Sequence, residues 1–516
     1  MQQSQSKQQV GGILGFIECI GNKIPDITIL FISAFLLVCV VSAVLAQIHF
    51  NYVHPATGRP IEITNMLSGK ALVDLMSKMV TNYANFPPLS MVIVATLGIG
   101  IADGSGYINT GLKKILSITP KVLITPVVIL VGMLSHLGPD SGYVIIIPIA
   151  AYMFYAVGKH PLAGIAASFA GIAGAFAANY TPSAIDPVIQ GFTQSAAQII
   201  DPGYQVNVLC NYFYAFASTF IVIGACWWVT EKITNPWLWK ACPLDDDLDL
   251  GNENNSSITP SENRAFKIAT AVLLLMLTGL AAALYPADSI LRAPDGVIAS
   301  FKAPIMQSIV SLIFIFAALV GLVYGIACGK FKSPKDVTAA MEEITKTLVQ
   351  LIVFYFFAAQ FLYAFGVSNM GALIAVSGAE FLKSLNLPPQ VTVFGIIVFV
   401  ALLNLIITSA SAKWAILAPI FVPMLMAVGI APELTQVAFR VSDSAVNVVT
   451  PMFAFYPLII LYCQKYVKNA GIGTLSSMML PYTIALLVSL TFMLYLFWWL
   501  DIPLGFQADY VYPRRF

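Results

Sequence analysis

The sequence predicts an all-α polytopic membrane protein, with nine transmembrane helices and two re-entrant helical hairpins arranged as an inverted repeat. Three observations predict this. Charged residues make up only 10% of the 516-residue chain against 58% hydrophobic, and the mean hydropathy is +0.83, far from the composition of a soluble domain. Apolar runs of about 20 residues recur, the length that crosses a hydrocarbon core at 1.5 Å per residue. Two further apolar stretches are each broken in the middle by small polar residues and match one another when one is shifted by 271 positions.

Full spans are predicted at 27–48, 87–102, 161–185, 208–230, 268–285, 304–328, 346–366, 434–463 and 481–500. The first run ends in Ala43-Val44-Leu45-Ala46, which looks like a signal-peptidase site. It is nevertheless too long for a signal core and follows a polar stretch, so it is read as a retained helix. The first hairpin is placed at 122–158, with its break at Ser135-His136-Leu137-Gly138-Pro139-Asp140-Ser141-Gly142. The second is placed at 390–430, broken at Thr408-Ser409-Ala410-Ser411-Ala412-Lys413. Each arm is short for a span, and the breaks suit hairpin tips buried in protein.

Loop charge orients this chain. With the N-terminus inside, the inner loops carry Lys113, Lys114, Lys121, Lys159, His160, Lys232, Lys240, Arg264, Lys267, Lys330, Lys332, Lys335, Lys346, Lys465 and Lys468. The first hairpin then opens to the cytoplasm and the second, flanked by Pro388-Pro389 and Pro432-Glu433, to the outside. The polar stretch within the cytoplasmic loop 231–267 is a linker, and its Asn255-Ser256-Ser257 sequon lies on the side where glycosylation is not expected.

The internal match supports two equivalent halves. Ile145, Pro148, Ile149, Met153, Gly158 and Pro161 fall on Ile416, Pro419, Ile420, Met424, Gly429 and Pro432; with a two-residue slip, Thr181-Pro182 falls on Thr450-Pro451. Halves that enter from opposite faces place their site near the midplane, where hairpin tips meet broken helices.

Ionisable groups at membrane depth are costly and mark candidate sites. Arg440 and Asp443 are three apart, share a helix face and can pair. They are either a neutralised structural pair or part of a site that continues through Asn447, Thr450 and Pro451, where proline opens the helix. The first half has Asn179, Thr181, Pro182 and Asp186 in parallel. Asp186 is either a helix-end carboxylate in water or, placed inward, a proton carrier. At the tips, Ser135, His136, Asp140 and Ser141 mirror Thr408, Ser409, Ser411 and Lys413, and short oxygen side chains beside bent backbone suit a hard cation such as sodium, or simply a tight turn. Trp414 serves either to stack on an aromatic substrate or to anchor the tip. The seven cysteines are scattered without metal-ligand or disulfide spacing. A net charge of +1 offers no footprint for nucleic acid, and the chain has no Walker motif or nucleophile elbow. The chain is therefore read as a transporter without a cofactor, run by an ion gradient, and not as an enzyme.

The motifs Ser135-His136 with Asp140, Val157-Gly158-Lys159-His160-Pro161, Ser411-Ala412-Lys413-Trp414 running into Ala418-Pro419-Ile420-Phe421-Val422-Pro423, and Phe439-Arg440-Val441-Ser442-Asp443-Ser444 resemble the aminobenzoyl-glutamate transporter (AbgT) family of bacterial inner-membrane proteins. The resemblance implies a homodimer of nine-span subunits with two hairpins each. It also implies that Asp186, Asn404, Ser411, Trp414, Pro432, Arg440, Asp443 and Pro451 occupy positions used for substrate passage. The implied cargo is p-aminobenzoyl-glutamate, or sulfonamide antimetabolites on export, coupled to protons or sodium by symport or antiport. Arg440 suits such a small aromatic carboxylate electrostatically. The competing readings are a sodium-coupled dicarboxylate carrier of the same architecture, a passive channel, and an intramembrane hydrolase, for which no catalytic pair is evident.

Overall fold

The structure is a computed structural model and describes residues 25–54, 58–135, 142–245 and 258–513. His136, Asp140, Ser141, Cys19 and the Asn255 sequon lie outside the described residues. Among the described residues the regular elements are all helical, as an apolar solvent demands of a chain that must satisfy its own backbone.

Seven helices or helix pairs are long and apolar enough to cross a bilayer unaided: Ile27–Leu45, Gly69–Ser105, Tyr212–Ala241, Pro260–Leu284, Ile309–Ala327, Val349–Val367 and Ile472–Trp499. Two more spans are interrupted. Helix Pro161–Gly174 breaks at 175–184 before Ile185–Ala197, and helix Pro432–Val446 breaks at 447–455 before Tyr456–Gln464. The expected continuous spans 161–185 and 434–463 are thus corrected to broken ones. Pro182 and Pro451, each without a backbone donor, lie inside these interruptions. The expected loop 231–267 is also shorter than drawn. A π-helical turn, Thr230–Thr234, carries the preceding span into Asn235–Ala241, and the next helix already starts at Pro260, where Thr259 and Glu262 form a capping box.

Each half also contains a bent helix pair: Tyr107–Ser117 with Lys121–Leu134 at 120°, and Met370–Ser384 with Pro389–Asn404 at 117°. The second member of each pair is the first arm of a hairpin. In the first hairpin, helix Ile124–Leu134 is followed across the tip by a π-turn, Gly142–Ile146, and helix Ile147–Ala156. Its first arm, with 11 residues, is about 16 Å long, half a bilayer, and short for a span as expected. The second hairpin uses Pro389–Asn404 and Ala410–Met426.

Left-handed residues confirm the repeat. Gly106 (φ 93°) and Asn369 (φ 61°) mark the same junction before the bent pair in each half, and Gly158 (φ 78°) and Gly429 (φ 89°) end the two hairpins 271 positions apart. The halves exchange scaffold helices. Ile27–Leu45 packs on Val349–Val367 of the second half, while Ile309–Ala327 packs on Pro87–Ser105 of the first. Amphipathic helices Gly69–Ala84 and Pro334–Lys346 precede equivalent spans. Helices Pro161–Gly174 and Pro432–Val446 are buried along their whole length, so the hairpins and broken spans form the inner core.

Candidate functional site

The two tips and the two interrupted helices converge. Ser135 and Gly142 bring the arms of the first hairpin together so closely that a Cβ on Gly142 would lie 2.1 Å from the Ser135 hydroxyl. Tyr143, just past this tip, stacks on Phe455 of the second interruption at 4.4 Å and 8°. The second tip is tied to the same interruption, where the Thr450 hydroxyl donates to Leu405 O at 2.8 Å. Between the tips lies a cavity of about 380 Å³ bordered by Ser135, Tyr143, Thr408, Ser411, Asp443 and Asn447, within the size range of small-molecule sites.

Two ion pairs flank it at membrane depth. Lys413 meets Asp443 at 2.5 Å with both side chains 1% exposed, and Arg440 meets Asp186 at 2.7 Å. Arg440 and Asp443 therefore do not pair with each other as expected, although they share a helix. Asp443 faces the hairpin arm that carries Lys413, while Arg440 reaches across to the first half, where its Nε also donates to Phe176 O at 2.8 Å. Lys413 also donates to Asn404 Oδ1, and Asn404 returns a hydrogen bond to Asp443 O at 3.1 Å. Asn447 donates to Asp443 Oδ2 at 2.9 Å, and its own carbonyl oxygen is buried without a hydrogen-bond partner.

Asp186 accepts from the backbone and hydroxyl of Ser183 at 2.8 and 3.1 Å, and its pairing with Arg440 at 13% exposure turns it inward. With Asn179, Thr181 and Arg440 it lines a narrow crevice of about 10 Å³, room for about one water molecule. Pro451 sits within the second interruption, but Pro432 opens its helix away from the cavity. Trp414 is 1% exposed. It stacks on Phe439 at 4.5 Å and donates to Thr193 at 2.9 Å, so in this conformation it anchors the tip. The residues that sequence reasoning missed are its polar support: Thr193 donates to Gln436 at 2.6 Å, Gln436 to Asn211 at 2.6 Å, and Asn211 to Glu433 O at 3.1 Å. Glu433 and Gln436, three apart in a fully buried helix, were the available signal. Lys413 was noted only as a tip residue, although a cation inside an apolar arm already asks for a buried anion.

Paired hairpin tips, two interrupted helices and compensated charges around a central cavity define a membrane transporter built on an inverted repeat. Comparison with known proteins gives the particular group: the chain matches the AbgT putative transporter family over residues 12–512 and belongs to it. It is 32% identical to the p-aminobenzoyl-glutamate transport protein of Escherichia coli K12, over 99% of this chain and 98% of the relative. Among solved structures it resembles MtrF of Neisseria gonorrhoeae, described among a class of antimetabolite efflux pumps. That likeness has 39% identity and a TM-score of 0.90, covering 96% of this chain and 100% of the other. The YdaH transporter of Alcanivorax borkumensis aligns at 37% identity and a TM-score of 0.87, covering 93% of this chain and all of that one.

Proposed function

We propose that this chain is a secondary active transporter that moves p-aminobenzoyl-glutamate or a related aromatic anion, sulfonamide-type antimetabolites included, across the bacterial inner membrane, coupled to protons or sodium. It works as a homodimer with a cytoplasmic N-terminus and without a cofactor. The observation that carries this reading is the pair of buried ion pairs beside the cavity. Asp186, Arg440, Lys413 and Asp443 together carry no net charge. An anionic cargo can gain Lys413 or Arg440 only by displacing the native carboxylate, which would then stand unpaired at membrane depth, a costly state. A proton or sodium ion on that carboxylate removes the cost, so cargo and cation bind together. For sodium, Asn447 Oδ1 and the hydroxyls of Ser135 and Ser411 on the cavity wall are the oxygen ligands at hand.

The test is transport of labelled p-aminobenzoyl-glutamate in proteoliposomes under an imposed pH or sodium gradient. Accumulation against its own gradient is expected under one of the two. Movement under neither gradient in either direction would remove this substrate, and competition by succinate alone would point to a dicarboxylate carrier. Asp186→Asn is expected to flatten the pH dependence, and an unchanged profile would take Asp186 out of coupling.

A further inference from the structure

A second hollow, of about 630 Å³, lies at the base of the first hairpin, against the span Tyr212–Ala241. Four tryptophans mark the level of this region. Trp227, Trp228, Trp237 and Trp239 are 38%, 59%, 37% and 46% exposed at one end of that span, as in the aromatic girdles that sit at the boundary between headgroups and hydrocarbon. Three lysines, Lys121, Lys159 and Lys232, border the hollow. Lys159 is already committed, since it pairs with Glu231 and donates to Thr125 at 3.0 Å. Among the described residues neither Lys121 nor Lys232 has an ion-pair partner, and both are exposed.

The surface toward the apolar side of these lysines is open and greasy. A side chain on Gly224, which borders the same hollow, would meet nothing within 4 Å, and Trp227 and Trp228 wall it. The turn that carries Lys121 also exposes Ile118 and Val122 by 74% and 79%. These apolar side chains suit the outer hydrocarbon layer, with the lysine reaching back toward water.

We propose that this hollow binds an anionic phospholipid, its phosphate held between Lys121 and Lys232 and an acyl chain lying along Gly224 and Trp228. Two free cations select the headgroup, and Glu231, by neutralising Lys159, keeps the site from being a larger and less selective basic patch. The apolar continuation below the lysines favours a lipid over a free anion. A lipid seated there bridges the base of the first hairpin and the neighbouring span, and makes their packing sensitive to the composition of the membrane.

The purified full chain in neutral detergent, titrated with dioleoyl phosphatidylglycerol, dioleoyl phosphatidylcholine or inorganic phosphate, tests this by native mass spectrometry with thermal melting as a second readout. Phosphatidylglycerol should be retained selectively and raise the melting temperature. Lys121→Ala with Lys232→Ala should weaken its retention about thirtyfold, two juxtamembrane basic contacts together. Gly224→Leu should weaken it by filling the acyl strip while leaving both lysines in place. Three results would each overturn the proposal: equal retention of phosphatidylcholine, wild-type retention in the double variant, or displacement of the lipid by inorganic phosphate at equal concentration, which would mark a free-anion site. A melting temperature without lipid that matches wild type shows that the variants are folded.

Discussion

Gly171 and Ser442 stand at equivalent positions, 271 apart, in the two buried helices that follow the hairpins, and each faces the first arm of its own hairpin by a different means. At Gly171 the backbones touch, so that a Cβ there would lie 2.5 Å from Ile129 O, and Gly164 in the same helix is equally close to Ala150 O of the second arm. At Ser442 the hydroxyl instead donates to Ile397 O at 2.7 Å, and one turn of the same helix carries Arg440 and Asp443 to their ionic partners. One plan, used twice, is thus held by close-packed backbone in the first half and by exchangeable polar ties in the second. Packed surfaces have few alternative arrangements, whereas an ion pair can trade one partner for a cargo or a cation. The second half is the one equipped to respond.

The sharpest way to break this contrast is at Lys413 and Asp443. Lys413→Met or Asp443→Leu alone should abolish transport and cost about 3–5 kcal/mol, the penalty for leaving one buried charge uncompensated. The double variant should recover thermal stability to within about 1 kcal/mol yet remain inactive in proteoliposomes. If the double variant transports, the pair is only structural. Next, Gly171→Val should lower the melting temperature through overpacking of about 1–3 kcal/mol or more. Its counterpart Ser442→Ala, which gives up one hydrogen bond, should cost only about 1 kcal/mol. Equal losses at the two positions would dissolve the distinction between packed and polar halves.

The effect that is smallest at neutral pH concerns the start of each helix, His160 in the first half and Ala431 in the second. His160 Nδ1 accepts from Leu162 N at 3.2 Å while Nε2 donates to Cys242 O at 2.8 Å, an arrangement only the neutral imidazole can make. Burial pushes its pKa below the ordinary histidine value. The unfolded chain therefore takes up the proton first. Stability is full above the unfolded pKa, near 6.5, and falls by up to about 1.4 kcal/mol per pH unit as pH drops below it toward the folded pKa. His160→Asn, which keeps a cap acceptor, should flatten the fall of the melting temperature below about pH 6.5. An unchanged acid limb would assign that loss of stability to another group.

Much of this plan was legible in the chain. Apolar length located the spans, small polar breaks located the tips, and paired prolines and glycines located the repeat, because each acts through local backbone physics. What stayed hidden was lateral. Arg440 and Asp443 share a helix face, and their separation alone made them look like partners. Only the fold brings Lys413 and Asp186 nearer, and a charge at membrane depth takes the anion that packing presents. The amphipathic helices Gly69–Ala84 and Pro334–Lys346 were missed for a different reason: with Lys70, Asp74 and Lys78 on the one and Lys335, Asp336 and Lys346 on the other, neither reads as a membrane run.

The exchange of scaffold helices between halves has a consequence for how the chain is made. The ribosome delivers Ile27–Leu45 and Pro87–Ser105 long before Val349–Val367 and Ile309–Ala327, the helices they pack on. It also delivers Asp186 long before Arg440. During that interval the nascent first half holds uncovered scaffold faces and a carboxyl group whose cation has yet to be translated. Assembly of the first half is therefore completed by the second, and a chain stopped between the two is left with a half-built core and with Asp186 still waiting for its counterion.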